Sequence, residues 1–175
     1  MHIAQTLFFA TPLAGLLALI YALTKTQWVN KHEVGTDRMR EISTYIRDGA
    51  MAFLAREYKI LAMFAVVVAT LLAVANANNE QSHWLVAVAF LVGAIASAAA
   101  GYFGMRIATS ANVRTTNAAR QGLPQALSVA FSGGTVMGMS VVGLGVIGVA
   151  GLTIIFSQTG ILVDAAGMTD WRRIV

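Results

Sequence analysis

Three carboxylates near the start of the chain recur at every fourth residue and are its first candidates for chemistry. Glu33, Asp37 and Glu41 would share one face of a helix, and carboxylate oxygens are ligands that Mg²⁺ accepts. Arg38 and Arg40 are interleaved with them, and alternating charge of this kind is typical of a solvated helix face. The pattern therefore predicts a solvated face, with a metal site as the weaker alternative.

Three arginines, Arg106, Arg114 and Arg120, lie between two segments that carry no charged residue. Side chains in a connection at a membrane surface can interact with water and with anionic lipid headgroups, so these arginines need no carboxylate partner. Whether Arg114 or Arg120 also attracts an anionic substrate is left open by the sequence.

Histidine and cysteine offer little to a metal or a nucleophilic mechanism. His2, His32 and His83 are isolated in sequence, which indicates surface residues rather than metal ligands. The chain contains no cysteine, which excludes disulfides, thiolate catalysis and Cys-ligated zinc or iron–sulfur sites.

The composition is that of a membrane protein. Of the 175 residues, 57% are hydrophobic and only 11% are charged, with a mean hydropathy of +0.69, whereas soluble domains are about 25% charged. The formal net charge of +4 comes from basic residues in the predicted loops and indicates membrane topology. No basic run interleaved with aromatic residues predicts binding to nucleic acid.

Four uncharged or apolar stretches predict an all-α, polytopic transmembrane bundle of about four helices. About 20 mostly apolar residues suffice to cross the hydrocarbon core of a bilayer. The expected helices are 3–24, 40–79 with an amphipathic cytoplasmic extension before its span, 81–105 and 124–156. The last apolar run is longer than one crossing needs, so two short helices or a re-entrant loop remain an alternative there.

Ten of the twelve basic residues fall into the two connections after the first and third segments. Cytoplasmic loops carry the excess of Lys and Arg, so both connections are predicted to be cytoplasmic and both termini of the chain to lie outside. We expect a multi-pass protein of the cell (inner) membrane, with the lipid bilayer as its surroundings.

The fourth segment carries glycines at helical spacing. Gly134 and Gly138 form a small-xxx-small step, with Ala130 one turn earlier, which leaves one ridge of the helix without bulk. In lipid such a ridge lets another helix approach closely, so both glycines are predicted to be helix-packing residues. A simple hinge is the alternative.

The predicted spans lack the residues that ion transport and hydrolysis need. None of them, taken as 3–24, 60–79, 81–105 and 124–156, contains a carboxylate that could hold an ion or proton, and the chain has neither a P-loop nor a Ser/His/Asp set. Taken alone, the sequence describes a membrane scaffold without a catalytic centre.

Three blocks carry a family resemblance. "MREISTYIRDGAMAFLAREYK", "GYFGMRIATSANVRTTNAAR" and "GLPQALSVAFSGGTVMGMSVVGLGVIG" occur in that order. Together they resemble the N-terminal quarter of the membrane-bound, ion-translocating pyrophosphatases, over roughly Leu13 to Phe156. The resemblance implies a sixteen-helix homodimeric pump that hydrolyses pyrophosphate with Mg²⁺, with K⁺ as a further candidate cofactor, and moves H⁺ or Na⁺ outward.

By the same resemblance, residues 1–175 are one N-terminal transmembrane region of a larger pump. The family's DVGADLVGKVE-type signature and its ion gate have no counterpart here, so no catalytic, substrate-binding or metal-binding residue is assigned, and the fragment by itself is expected to be inactive. H⁺ is the first candidate ion and Na⁺ the second. The rival hypothesis is a stand-alone four-helix membrane protein with a structural or assembly role.

Overall fold

The chain folds into long helices. The structure, a computed structural model, describes the backbone of residues 2–77 and 85–158, and the side chains of residues 10–77 and 85–156. Within these ranges it consists of four α-helices and contains no strand: α1 (His2–Lys31), α2 (Asp37–Asn76), α3 (Leu85–Ala119) and α4 (Leu123–Gln158). The predicted all-α class is confirmed.

Three helices, α2, α3 and α4, are long and apolar enough to cross a membrane by length and composition. This comparison covers only the described residues, and the side chains of α1 are described from residue 10 onward. The predicted count of about four spans is therefore roughly matched.

Two helices extend well past the ends predicted for them. The sequence placed the end of the first helix at 24 and of the third at 105, whereas α1 continues to Lys31 and α3 to Ala119. Both predictions were wrong because they followed the end of the apolar run, and polar residues are compatible with a helix. After residue 105 the chain contains no glycine or proline until Gly122 and Pro124, so nothing breaks α3 earlier.

The second helix is unbroken over 40 residues. Thr36 is its N-cap, and its Oγ1 accepts a hydrogen bond from the backbone N–H of Met39 at 3.3 Å. Asp37 in the first turn adds a negative charge where the helix dipole favours one. The amphipathic start and the apolar remainder of α2 are therefore one rigid element.

The helices pack side by side in the order α1, α4, α3, α2, because α4 lies between α1 and α3 while α2 packs on α3. Helices α1 and α3 touch only lightly. Small and medium side chains form the main core, namely Ala22, Val29, Ile107, Ala111 and Val136, with Trp28 and Met139 against them. Short side chains let helices approach closely, which is how helices associate in lipid.

Large apolar side chains cover much of the outside. Phe131 is 72% exposed, Leu123 71% and Ile95 70%. A surface of this kind suits lipid or further helices, since contiguous exposed apolar area is rare on soluble monomers.

Candidate functional site

Arg114 joins the end of α1 to α3. Its Nε donates a hydrogen bond to the carbonyl oxygen of His32 at 3.0 Å, and its Nη2 donates to that of Asn30 at 3.4 Å. Its Nη1 donates to the carbonyl oxygen and to Oγ of Ser110, both at 2.8 Å. We call Asn30, His32, Ser110, Arg114 and Asn117 the helix-end junction.

The junction satisfies carbonyl groups that a helix leaves without a partner. The last carbonyls of a helix have no intrahelical donor and carry the negative end of its dipole. The guanidinium of Arg114 supplies both donors and positive charge there, and Ser110 Oγ adds a 2.7 Å hydrogen bond to Asn30 Oδ1. Arg114 therefore has a structural role that needs no carboxylate.

The link between α1 and α2 is fixed at the same place. Gly35 has φ +92°, a conformation that L side chains rarely adopt. A Cβ at Gly35 would lie 2.7 Å from Asn117 Oδ1, and Asn117 Nδ2 donates to the carbonyl oxygen of Glu33 at 3.3 Å. The glycine allows the link to lie against α3, which sets where α2 begins.

A cavity opens beside the junction, between α1 and α3 and over α4. Its volume is about 770 Å³, and the first turns of α2 also contribute to its lining. Four arginines line it: Arg40, Arg47, Arg106 and Arg114. We call this the arginine-lined cavity. The folded chain thus brings two predicted loop arginines, Arg106 and Arg114, together with two arginines of α2.

The three acidic residues do not form the shared face that their spacing suggested. Glu33 lies in the link before α2, Asp37 is the first residue of α2, and Glu41 pairs with Arg38 at 2.8 Å. Tyr45 Oη also donates to Glu41 Oε1 at 3.1 Å. No group of three or more His, Asp or Glu side chains that could hold a metal ion occurs in the described part of the chain.

Of the remaining candidates, the structure describes the side chains of Arg120 and His32. Arg120 is exposed in the turn after α3. His32 is half-buried at the end of α1, where its Nδ1 lies 3.0 Å from the carbonyl oxygen of Trp28 and its ring 4.2 Å from the Trp28 ring. The side chains of His2 and His83 lie outside the described residues. Among the described residues, His32 belongs to no group of side chains that could hold a metal ion.

The glycines of α4 divide into two sets. Gly133 and Gly143 face neighbouring helices, and an added Cβ would lie 2.8 Å from Ala111 Cβ and from Leu19 Cδ2, respectively. Gly134 and Gly138 are exposed, and an added Cβ at either would meet nothing within 4 Å. Their predicted packing role therefore concerns a neighbour outside the described residues and stays a prediction.

Sequence reasoning missed contacts that hold the helices in place. Tyr58 Oη donates to the carbonyl oxygen of Ala98 at 2.5 Å and lies over Gly101, which fixes α2 on α3. Gly15 lies against the backbone of Gly143. A single tyrosine or glycine in a long apolar helix carries no local signal of its neighbour, so only the packed helices reveal these pairs.

Comparisons with known proteins agree over nearly the whole chain. A family described as inorganic H⁺ pyrophosphatase matches residues 16–171. A putative K⁺-stimulated pyrophosphate-energised sodium pump of Clostridium tetani is 50% identical over 73% of this chain. A K⁺-insensitive pyrophosphate-energised proton pump of Methanosarcina mazei is 38% identical over 91%, and a K⁺-stimulated sodium pump of Thermotoga maritima is 42% identical over 99%.

The chain is much shorter than these relatives. It spans 18% of the length of the Clostridium protein and 23% of the lengths of the Methanosarcina and Thermotoga proteins. The similarity therefore covers about a fifth of the length of each of these pumps.

Proposed function

This chain belongs to the inorganic H⁺ pyrophosphatase family, and we propose that it is the N-terminal four-helix scaffold of a pump that couples pyrophosphate hydrolysis to outward ion transport. The observation that carries the proposal is the family match across residues 16–171. We refer below to a protein of the relatives' length that contains this chain as the longer protein.

The relatives of this chain include pumps for H⁺ and pumps for Na⁺. We propose H⁺ first, because the matching family is described by that ion, and Na⁺ second, because sodium pumps are as similar as proton pumps. K⁺ is a candidate cofactor, since the relatives include both K⁺-stimulated and K⁺-insensitive pumps. Identity over this region does not separate these classes.

Hydrolysis is assigned to parts of the longer protein outside the described residues. Binding a magnesium–pyrophosphate complex takes several carboxylate oxygens together with basic groups. The described residues gather no such carboxylate group, so we assign no Mg²⁺ to them. What they do supply is a framework in which α4 lies between α1 and α3 and α2 is fixed to α3.

The proposal extends to the oligomeric state of the pump, its membrane and its orientation. We propose a homodimeric pump in the cell (inner) membrane, with both connections between α1 and α2 and between α3 and α4 in the cytoplasm. The support for this orientation is the basic residues in and beside these connections, including Arg38 and Arg120. The exposed apolar faces of the helices are consistent with lipid around them and with further helices against them.

Transport by the longer protein in sealed vesicles tests the function. Adding pyrophosphate and Mg²⁺ outside inverted vesicles should acidify their interior, read with a pH-sensitive dye, or load them with radioactive Na⁺. Omitting K⁺ tests its role as a cofactor. If pyrophosphate moves neither ion with or without K⁺, the chain is not part of such a pump. That result would favour the rival hypothesis of a stand-alone four-helix membrane protein with a structural or assembly role.

Single cysteines in this cysteine-free chain test the orientation. Gln121 lies in the turn between α3 and α4, and Ala77 follows the opposite end of α2; both are exposed. In intact cells, a membrane-impermeant thiol reagent should label Ala77→Cys in the longer protein and leave Gln121→Cys unlabelled. In inverted vesicles the pattern should reverse. The opposite result in both preparations would contradict the proposed orientation.

A further inference from the structure

The arginine-lined cavity carries positive charge without a protein partner. The side chains of Arg40, Arg47 and Arg106 make no ion pair or hydrogen bond within the described part of the chain, whereas Arg114 is held by carbonyl oxygens. No Asp or Glu is among the described residues that line the cavity. Several cations around one cavity attract an anion, and guanidinium groups match phosphate geometry.

The cavity is apolar at one end and basic at the other. Ser110 bonds to Asn30 and Asn117 bonds to Glu33, so α1 and α3 run in the same direction. Leu19 and Phe103 therefore mark the membrane end of the cavity, and Arg114 marks its junction end. Leu144 of α4 adds to the apolar end, and Arg40 of α2 adds to the basic end. A small inorganic anion would use only the basic end, whereas a molecule with an anionic head and an acyl chain would use both.

The position of the cavity suits the same kind of molecule. Arg106 directly follows the uncharged stretch of α3 that ends at Met105, which is where a helix leaves the hydrocarbon for the headgroup region. Its volume of about 770 Å³ is within the common range for ligand pockets, about 300–1,000 Å³. Basic pockets between transmembrane helices on the cytoplasmic side are known as sites for anionic lipid headgroups.

We propose that the arginine-lined cavity binds an anionic phospholipid, with its phosphate held by Arg40, Arg47 and Arg106 and one acyl chain along Leu19 and Phe103. The lipid would connect α2 to α1, two helices that share few direct contacts. The test measures lipid affinity alone, so it does not depend on the ion that is pumped.

Lipid titration of the longer protein, followed by native mass spectrometry, tests the proposal. Phosphatidylglycerol should bind more tightly than phosphatidylcholine in the wild type. Each basic side chain at a membrane surface strengthens the binding of anionic lipid about fivefold, so Arg40→Gln with Arg47→Gln should weaken it about 25-fold. Phosphatidylcholine binding should change little.

Two matched variants identify what carries the binding. Arg38→Gln removes one positive charge from the same helix, at a position that lies outside the cavity and pairs with Glu41. It should leave phosphatidylglycerol affinity within about twofold of wild type, against about fivefold for each cavity arginine, since an exposed paired charge contributes little. Arg40→Lys with Arg47→Lys retains both charges and should retain most of the affinity. If the double glutamine variant does not fold, Arg47→Gln alone serves as the test and should weaken phosphatidylglycerol binding about fivefold.

Three results would overturn the proposal. Equal phosphatidylglycerol affinity in wild type and both double variants would show that the arginines do not bind lipid. A wild-type protein that binds phosphatidylglycerol no more tightly than phosphatidylcholine would show that the cavity does not select an anionic headgroup. Displacement of phosphatidylglycerol by inorganic pyrophosphate would assign the basic end to a soluble diphosphate.

Discussion

Replacing Gly143 by leucine is expected to lower the melting temperature of the detergent-solubilised longer protein by several degrees and to abolish coupled activity. A Cβ at Gly143 would lie 2.9 Å from the carbonyl oxygen of Gly15 and 2.8 Å from the side chain of Leu19, so even the first added carbon meets backbone. The contact is reciprocal, because a Cβ added at Gly15 would lie 2.9 Å from the carbonyl oxygen of Gly143. Overpacking an interior costs about 1–3 kcal/mol, sometimes more, and here α1 must move away from α4.

In the isolated 175-residue chain, Gly145 provides the matched control because it lies on the same helix and an added Cβ there meets nothing within 4 Å. Gly145→Ala should stabilise the helix slightly, by about 0.5–1 kcal/mol, whereas Gly143→Ala should destabilise the bundle. Equal melting temperatures for Gly143→Leu, Gly145→Leu and wild type would show that α1 does not cross α4 at these glycines.

The same measurement addresses the ridge at Gly134 and Gly138. Both face open space in the described residues, so leucine at either should be tolerated by the isolated chain. We expect destabilisation only in the longer protein, where a further helix is proposed to pack on this ridge. No loss of stability or coupled activity there would show that the ridge faces lipid.

The helical class of the fold could be predicted from sequence, and the helix ends only where a local signal marks them. Apolar runs reveal where a helix crosses lipid, because burial in hydrocarbon requires them. They do not show that α3 continues to Ala119, since the added turns are polar and stable through contact with the end of α1. In contrast, Pro124 marks the start of α4 locally, and the structure begins that helix one residue earlier.

The site depends on contacts between residues far apart in sequence, which is why it was missed. Arg114 was predicted to interact with water or lipid headgroups, yet it binds carbonyl oxygens of Asn30 and His32 on another helix. The spacing of Glu33, Asp37 and Glu41 suggested one helix face, but the link at Gly35 leaves Glu33 outside α2. Local periodicity does not contain either piece of information.

Pyrophosphate hydrolysis by the purified 175-residue chain, compared with the longer protein, is the most direct test of the central claim that this chain is a scaffold without catalytic residues. The expected result is no Mg²⁺-dependent release of phosphate by the chain above the uncatalysed rate, and clear turnover by the longer protein. The reason is that the chain lacks gathered carboxylates to hold the metal and activate water, among the residues that the structure describes. Turnover by the chain alone that is lost in Asp37→Asn with Glu41→Gln would contradict the account and place a catalytic site on α2.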